Sequence, residues 1–560
     1  MRAMKNWYRW YVLGVLVLIY MVNQIDRQII TVLAPFIKKD LDLTDAQIGL
    51  LYGTAFALFY GVFGVPLSKL ADAWHRVRTL WGGLLFWSIM TALSGLSGSF
   101  AHLTMARVGV GIGEASASPA AISLLGDLFE KEKRSTVLSL YTTGSYLGIG
   151  ASLVVGGAIV SAWSAAYPDP ASAPFGFAGW QAAFFGVGIP GLFLALLVAL
   201  TVREPTPGAL EALPQTNRGV PLRGVLFDLA AMIPPFSFAL IARRGTPRHL
   251  LQNIGGAAVI ALVAWQVIVH TDKLLPPAKR AVITQWGEFL LTTNVVQWMA
   301  IGIAAYAVLS WLQAVKISDV VTYRLTAGSR TFLALLGVSG FMGICANSLF
   351  AFVFLYAHRY LGFEPEQGLV LGAIGAATGV LGASIGGVLG DIAKRRHPAG
   401  RVFVSIAAMI LLFLCSFVQY QAGDRTTFYV AFTIGSIAMT LWVGCMHATA
   451  QDLVLPRMRG IAFALKALST SVIGLGLGPY VVGLTSDVTG DLRGAILASL
   501  YSIPCAILCL LYVAKTLARE EASVLHRAHA AGEPIPEALL GPLPEATVSA
   551  PAIGPAPQRG

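Results

Sequence analysis

Three ionisable residues stand where the sequence is otherwise too apolar to hold them: Asp26, Arg107 and Glu114. Each lies inside an apolar run, where a charge is costly and therefore faces a cavity or a partner. Counted at about 1.5 Å per residue from an outer helix end near Ala34, Asp26 lies about 12 Å below that surface. Counted from a helix start near His102, Arg107 lies roughly 8 Å deep and Glu114 roughly 18 Å deep. Asp26 thus falls at a depth between them. Arg107 and Glu114 are two helical turns apart and share one face. A carboxylate beside an Arg or in a wet cleft binds and releases a proton as its surroundings change, because desolvation favours its neutral form and a cation its charged form. The chemistry predicted is proton coupling, with Asp26 as the main protonation site and Glu114 and Arg107 as its switching partners. The competing reading is a static salt-bridge set that fixes helix packing. Arg27 is a second candidate, which alternatively snorkels or caps a neighbouring helix.

Further along the chain, Asn347, Trp442, His447 and Lys466 are the polar or aromatic residues of the second half expected to face a cleft. Satisfied packing residues are the alternative for each. Lys466 carries the most information, since it lies within snorkelling distance of a helix end yet could attract an anionic headgroup or carboxylate. A third group, Asp72, Arg76, Asp127, Arg134, Asp391, Arg395, Asp452 and Arg459, belongs to short basic loops. Carboxylates and arginines of adjacent helix ends there are candidates for a gate of charge-assisted hydrogen bonds across a cytoplasmic mouth. Plain topology determinants and solvated loop charges are the alternative.

The elements that position these residues follow from hydropathy. The chain has 560 residues, 56% hydrophobic and 12% charged, with a mean hydropathy of +0.70. Those values are membrane composition. About 20 mostly apolar residues cross the hydrocarbon as a helix, which satisfies its own backbone where no water can. Apolar windows fall near 10–35, 46–70, 79–99, 101–126, 135–162 and 179–202, and again near 331–357, 366–390, 401–421, 427–450, 459–485 and 493–515. The loops with Lys69, Arg76 and Arg78, with Lys131, Lys133 and Arg134, with Lys394 to Arg401, and with Arg457 and Arg459 are basic. Lys/Arg excess in short loops marks the inner side, so both termini are expected to be cytoplasmic. The opposite loops are acidic or mixed, with Asp40, Asp42, Asp45, Asp169, Glu364, Glu366, Asp487 and Asp491.

Between the halves, 203–330 is too long for a linker and holds apolar patches near 222–242, 250–270 and 290–314. An even number of them must cross if the halves keep their orientation. Asp228 and the Pro234, Pro235 pair break the first as a span, so 250–270 and 290–314 are expected to form an inserted pair. The competing reading is that none crosses. Beyond 517 the chain is rich in Ala, Pro and Glu and is expected to be a disordered cytoplasmic tail.

The formal charge of +11 could point to nucleic acid, but its basic residues sit in short clusters between apolar stretches, which positive-inside topology explains without a nucleic-acid partner. The five cysteines all lie in apolar stretches without metal-site or disulfide spacing and are expected to be packing residues. The basic start enters an apolar run without a small-residue cleavage site, as an uncleaved first span would. No phosphate loop, zinc motif or nucleophile elbow occupies a credible position, so no cofactor, metal or catalytic residue is expected. GIGEAS (111–116) lies inside a membrane helix, the wrong context for a dinucleotide fingerprint.

An internal duplication organises the whole. Asp127 and Arg134 recur as Asp452 and Arg459 at the same spacing, and GVPLSKLADAWHRVR (64–78) has its counterpart in GGVLGDIAKRR (386–396). Repeats of this kind place a substrate site at the midplane between two halves. The Gly-rich helix end with Asp and following basic residues, present twice, resembles the signature loop of the major facilitator superfamily. Within it, NQIDRQ (23–28), PLSKLADAWHRVR (66–78), ARVGVGIGEASASP (106–119), DLFEKEKRSTVLSLYTTGSYLGIGAS (127–152) and RGIAFALKALSTSVIGLGLGPYVVGLTSD (459–487) resemble the Spinster-like branch. The 203–330 segment and the long tail depart from that family. The resemblance implies an all-α polytopic fold of two six-helix bundles in pseudo-two-fold arrangement, 1–202 and 331–516, here with an inserted pair. It also implies an alternating-access transporter, and it ties the acidic and basic positions matching Asp26, Arg107 and Glu114 to coupling and substrate movement. The expected partners are a lipid-like or other small-molecule substrate, protons and the bilayer of an inner membrane, with the protein acting as a monomer. A hydrophilic-anion or sugar-acid importer is the rival within this fold. A non-transporting membrane receptor or enzyme is the rival outside it, and it would have no need of a duplicated gate.

Overall fold

The computed structural model describes residues 6–129, 131–169, 172–205, 221–275, 280–286, 289–455, 458–535 and 540. Thirteen helices in the described residues are long and apolar enough to cross a membrane. A further one, Arg76–Ser94, has 19 residues and begins with Arg76 and Arg78 in its first turn. Twelve of these helices make up the two halves. The first half comprises Asn6–Gln28 continued by Ile30–Asp40, Asp45–Tyr52 continued by Thr54–Ala73, Arg76–Ser94, Phe100–Glu114 continued by Ala117–Leu128, Lys131–Ala166 and Gly179–Thr201. The second comprises Arg330–Leu361, Pro365–Arg396, Gly400–Gln421, Arg425–Asp452, Arg459–Ser469 continued through a wider π turn into Gly476–Thr489, and Leu492–Ser499 continued by Ser502–Ala522. They are called the first to twelfth core helices below.

The helix breaks have readable causes. Proline has no N–H to return to the carbonyl four residues earlier, so the ladder fails there. Pro119 stands four residues after Ala115, Pro479 after Leu475 and Pro504 after Leu500, and each of those residues lies at a break in the fourth, eleventh or twelfth core helix. Helix starts are fixed by capping side chains: Thr44 accepts from the Gln47 N–H while Gln47 reaches back to Thr44 N. Ser99 and Asp424 cap the fourth and tenth helices in the same N-terminal sense.

Between the halves, Pro221–Met232 and Phe236–Arg244 are separated at Pro234 and Pro235. They precede two long helices, Pro247–Leu274 and Thr293–Ser318, here called the outer and inner inserted helices. A two-stranded antiparallel hairpin, Val282–Trp286 with Phe289–Thr292, joins them. The hairpin was not expected from hydropathy. The twelfth helix runs to Ala522 and a short helix Val524–His529 follows it, so the tail expected to be disordered from 517 is corrected for these residues. Arg527 pairs with Glu520, and Arg324 donates to the Ala530 carbonyl, which anchors the segment.

The two halves meet through backbone at close range. A Cβ on Gly150 of the fifth helix would stand 2.4 Å from the Gly372 carbonyl of the eighth, and one on Gly49 of the second helix would stand 2.4 Å from the Pro479 carbonyl of the eleventh. Only glycine permits that approach, which suits membrane helices held by van der Waals packing rather than by a hydrophobic driving force. Gly64, on the same second helix, has nothing within 4 Å of such a Cβ. We expect Gly49→Val and Gly150→Val each to destabilise the protein by about 1–3 kcal/mol, while Gly64→Val is close to neutral. Thermal unfolding of purified protein in detergent checks this, and equal midpoints for all three variants would refute the packing account.

Candidate functional site

Asp26, Arg107 and Glu114 come together at the broken ends of the first and fourth core helices. Asp26 and Arg107 are 0% exposed and Glu114 is 1% exposed. The last carbonyls of a helix have no partner within it, and the first helix stops at Gln28. Arg107 supplies the missing donors: Nη1 donates to the Asp26 carbonyl at 2.8 Å and Nη2 to the Arg27 carbonyl at 3.4 Å. A cation at a helix C-terminus also suits the helix dipole. Arg107 therefore binds backbone rather than a carboxylate. The carboxylate oxygens of Asp26 and Glu114 accept no hydrogen bond among the described residues, with Thr91 and Trp87 beside the first and Asn23 beside the second.

Arg27 neither snorkels nor caps a neighbour. Its guanidinium lies 4.7 Å from the centre of the Phe56 ring and 5.6 Å from that of Tyr60 on the second helix, a cation–π seat. Two cations and two carboxylates, of which Arg27 is half-buried and the other three are buried, thus form one cluster, so each proton gained or lost changes its net charge. Gln24 and Gln28 tie the layer to neighbouring helices, Gln24 donating to Ser145 at 2.7 Å and Tyr52 donating to Gln28 at 2.6 Å.

In the second half, Asn347 spends its amide on the Gly343 carbonyl of its own helix at 2.8 Å. His447 stacks on Phe463 with ring centres 5.1 Å apart. Trp442 has a buried indole N–H without a partner among the described residues. Lys466 is 5% exposed and makes no ion pair among the described residues. None of these four lines the cavity of about 80 Å³ that lies between the fifth, seventh, eighth, ninth and tenth helices. Its wall is almost wholly apolar, with Tyr146, Leu349, Phe350, Leu412, Phe432 and Met439 among its residues and no charged side chain.

Among the described residues, the ion pairs of Arg76 with Asp127 and Glu204, of Lys394 with Asp452 and Glu521, and of Arg401 with Asp391 and Asp452 each lie within one half. Arg76 binds Asp127 and also Glu204, the latter at 2.7 Å, and donates to the Pro205 carbonyl at 2.9 Å. In the second half, Arg401 binds Asp391 at 2.6 Å and Asp452 at 2.9 Å, while Lys394 binds Asp452 at 3.2 Å and Glu521 at 2.7 Å. Arg395 is exposed, and its expected place is taken by Arg401. The reason is positional: Arg76 opens the third helix, and the residue opening the equivalent ninth helix is Arg401, across a longer loop. The side chains of Asp72, Arg134 and Arg459 lie outside the described residues.

A charged contact across the halves lies on the opposite, far face; of its members, the sequence marks Asp45 and Asp487 as outer-loop charges, while Lys38, Arg359 and Ser486 carry no such signal. Asp45, at the start of the second helix, pairs with Lys38 and with Arg359 of the seventh at 3.2 Å. It also accepts from Ser486 of the eleventh at 2.7 Å, while Asp487 accepts from the Asp45 and Ala46 backbone N–H groups at 3.2 and 2.8 Å. Asp45 is buried, and a carboxylate removed from water needs this number of partners. The far face is therefore closed, whereas the ion pairs described on the basic face leave the halves untied.

The sequence pattern of the Major Facilitator Superfamily matches residues 16–479. An MFS-type efflux pump of Mycolicibacterium smegmatis is 27% identical over 87% of this chain and 86% of its own length. Human protein spinster homolog 1 is 26% identical over 85% of this chain and 72% of its own length. In fold, the chain is similar to a bacterial homolog of the human lysosomal transporter Spinster in an inward-facing and occupied conformation, with a TM-score of 0.62, 22% identity and coverage of 93% of this chain and 99% of that one. The duplicated half, the matched signature loops and these likenesses agree: the chain belongs to the major facilitator superfamily of membrane transporters and is a Spinster-like member of it.

Proposed function

We propose that the protein is a proton-coupled transporter that moves a lipid-like or amphipathic organic solute across the inner membrane by alternating access. The observation that carries the coupling is the commitment of Arg107 to the Asp26 and Arg27 carbonyls beside two buried carboxylates that make no ion pair among the described residues and have only the neutral groups of Thr91, Trp87 and Asn23 next to them. A buried unpaired carboxylate is costly in its charged form, and its cost changes when a cation or water reaches it. Asp26 takes and releases the proton; Glu114 and Arg107 adjust the charge around it. The far-face closure through Asp45, Arg359 and Asp487 holds one end shut. The basic clusters around Arg76 and Arg401, with Asp127, Asp391 and Asp452, close the cytoplasmic end of each half when the other state forms. The termini are cytoplasmic, the inserted pair crosses the bilayer to make fourteen spans, and the unit is a monomer. The largely apolar wall of the cavity between the fifth, seventh, eighth, ninth and tenth helices suits an acyl or other apolar moiety better than a sugar.

A second reading has its own observation. Lys466 is buried without an ion pair among the described residues, which suits an organic anion, and a "Probable L-galactonate transporter" of Escherichia coli is 29% identical over 31% of this chain and 35% of its own length. Under that reading the solute is hydrophilic and Lys466 receives its carboxylate.

Proteoliposome flux under an imposed pH gradient, with a panel of lysolipids and organic anions, tests both. Asp26→Asn is expected to abolish the response to the gradient, a fall of at least about tenfold or roughly 1.4 kcal/mol of barrier; a variant that responds like the wild type sinks the proton site. Lys466→Gln is expected to leave lysolipid flux within about twofold. A loss confined to organic anions would establish the second reading instead.

A further inference from the structure

The inner inserted helix lies along the seam where the second and eleventh core helices bring the two halves together. It runs antiparallel to the eleventh: its Asn294 meets Tyr480 and its Gln297 meets Gly476. The Gly476 carbonyl sits just past the π turn Thr470–Leu475, one residue beyond Leu475, whose carbonyl Pro479 leaves without a helical donor. It accepts from two donors, Thr54 Oγ1 of the second helix at 2.6 Å and Gln297 Nε2 of the insertion at 2.8 Å. One carbonyl of the second half is therefore shared by a donor of the first half and a donor of the insertion.

A second link lies closer to the far face. The Tyr480 hydroxyl donates to Asn294 Oδ1 at 3.0 Å, and the Asn294 amide donates to Asp272 Oδ1 and Thr271 Oγ1 of the outer inserted helix, each at 2.8 Å. Trp298 sets its ring edge-on to Tyr480, with centres 6.3 Å apart. Gln297 is 0% exposed. On its other side the insertion is held to the first half, since Pro221–Met232 packs against both Thr54–Ala73 and the inner inserted helix.

We infer that the inserted segment is a brace across the seam of the second and eleventh helices, holding that seam closed on the far face. The inference rests on the alternating-access reading, because only a seam that opens in another state gains from being held. A helix that merely shields the bundle from lipid needs an apolar face. This one instead places two amides and an indole against the break in the eleventh helix, where the backbone bonds released by Pro479 make motion cheapest.

Hydrogen–deuterium exchange of the full chain in lipid nanodiscs tests the brace without reference to any solute. Replacing Asn294 and Gln297 together by Leu removes the acceptor of the Tyr480 hydroxyl and the donor to the Gly476 carbonyl, the two polar links to the eleventh helix. Segments 44–53 and 476–489 are then expected to exchange on the order of tenfold faster, with segment 400–421 of the ninth helix unchanged. Trp298→Ala, which keeps both amides, is expected to shift the same two segments in the same direction and is read in place of the double variant if that one does not fold. Unchanged seam exchange overturns the inference, and so does equal acceleration of 400–421, which would reduce the insertion to general packing. A wild type that transports nothing in the solute panel would defeat the transport reading while leaving this exchange result to stand or fall by itself.

Discussion

Inside a bilayer a broken helix must find partners for the carbonyls it releases, because no water is there to take them. This structure breaks its helices where its unusual side chains gather, and the partners it finds set the chemistry of each place. At the end of Asn6–Gln28 the partner is Arg107, whose guanidinium holds the Asp26 and Arg27 carbonyls. Arg107 turned to these carbonyls makes no ion pair with either carboxylate among the described residues. The unpaired state of Asp26 and Glu114 follows from the helix break as much as from the choice of acidic residues. Just past the π turn of the eleventh helix, the Gly476 carbonyl takes two uncharged donors, Thr54 and Gln297, so that place joins helices together without storing charge.

The halves are organised differently at their two ends. On the basic face, Arg76 with Asp127 and Arg401 with Asp452 each fasten the start of one helix to the end of the next. These pairs stiffen a half without restraining its neighbour. On the far face, glycines let the second and eleventh helices touch through backbone, and Asp45 draws Arg359 and Ser486 of the other half onto one carboxylate. Stiff halves joined by a close-packed but weakly charged seam are what rigid-body rocking requires.

Most of this fold was legible because membrane helices announce themselves by composition, and because a duplicated chain repeats its loop signatures. The gathering of Asp26, Arg107 and Glu114 was legible for the same reason: an ionisable residue in an apolar run must meet something. The partner that Arg107 meets was not, since backbone carbonyls freed by a helix break leave no trace in residue types. Arg395 was matched to Arg76 by its distance from the preceding Asp, whereas the structural equivalent is the residue that opens the next helix, Arg401. Asp45, Arg359 and Asp487 are far apart in sequence, and their contact depends on how two halves dock. No repeat or hydropathy window encodes that docking. The apolar cavity escaped for a related reason, as it is walled by residues unremarkable in type and drawn from five helices.

The insertion shows how a lipid-facing helix and a helix with a task can be told apart. The outer inserted helix exposes Leu251, Val259, Leu262, Val263 and Trp265, the surface of a helix solvated by lipid. The inner one buries Thr293, Gln297, Ala304, Ala307, Trp311 and Ala314, a stripe at three- and four-residue spacing that includes polar groups. Asn253 of the outer helix donates to Gln313 at 2.8 Å and accepts from Tyr306 at 2.8 Å, so the pair is also locked to itself by amide and hydroxyl groups within an apolar surface. Polar side chains in such a run cost free energy unless partnered, and their spacing already predicts one buried face. What the spacing could not supply was the identity of the neighbour, and that neighbour is the segment of the eleventh helix beside its π turn, where Pro479 leaves one carbonyl without its helical donor.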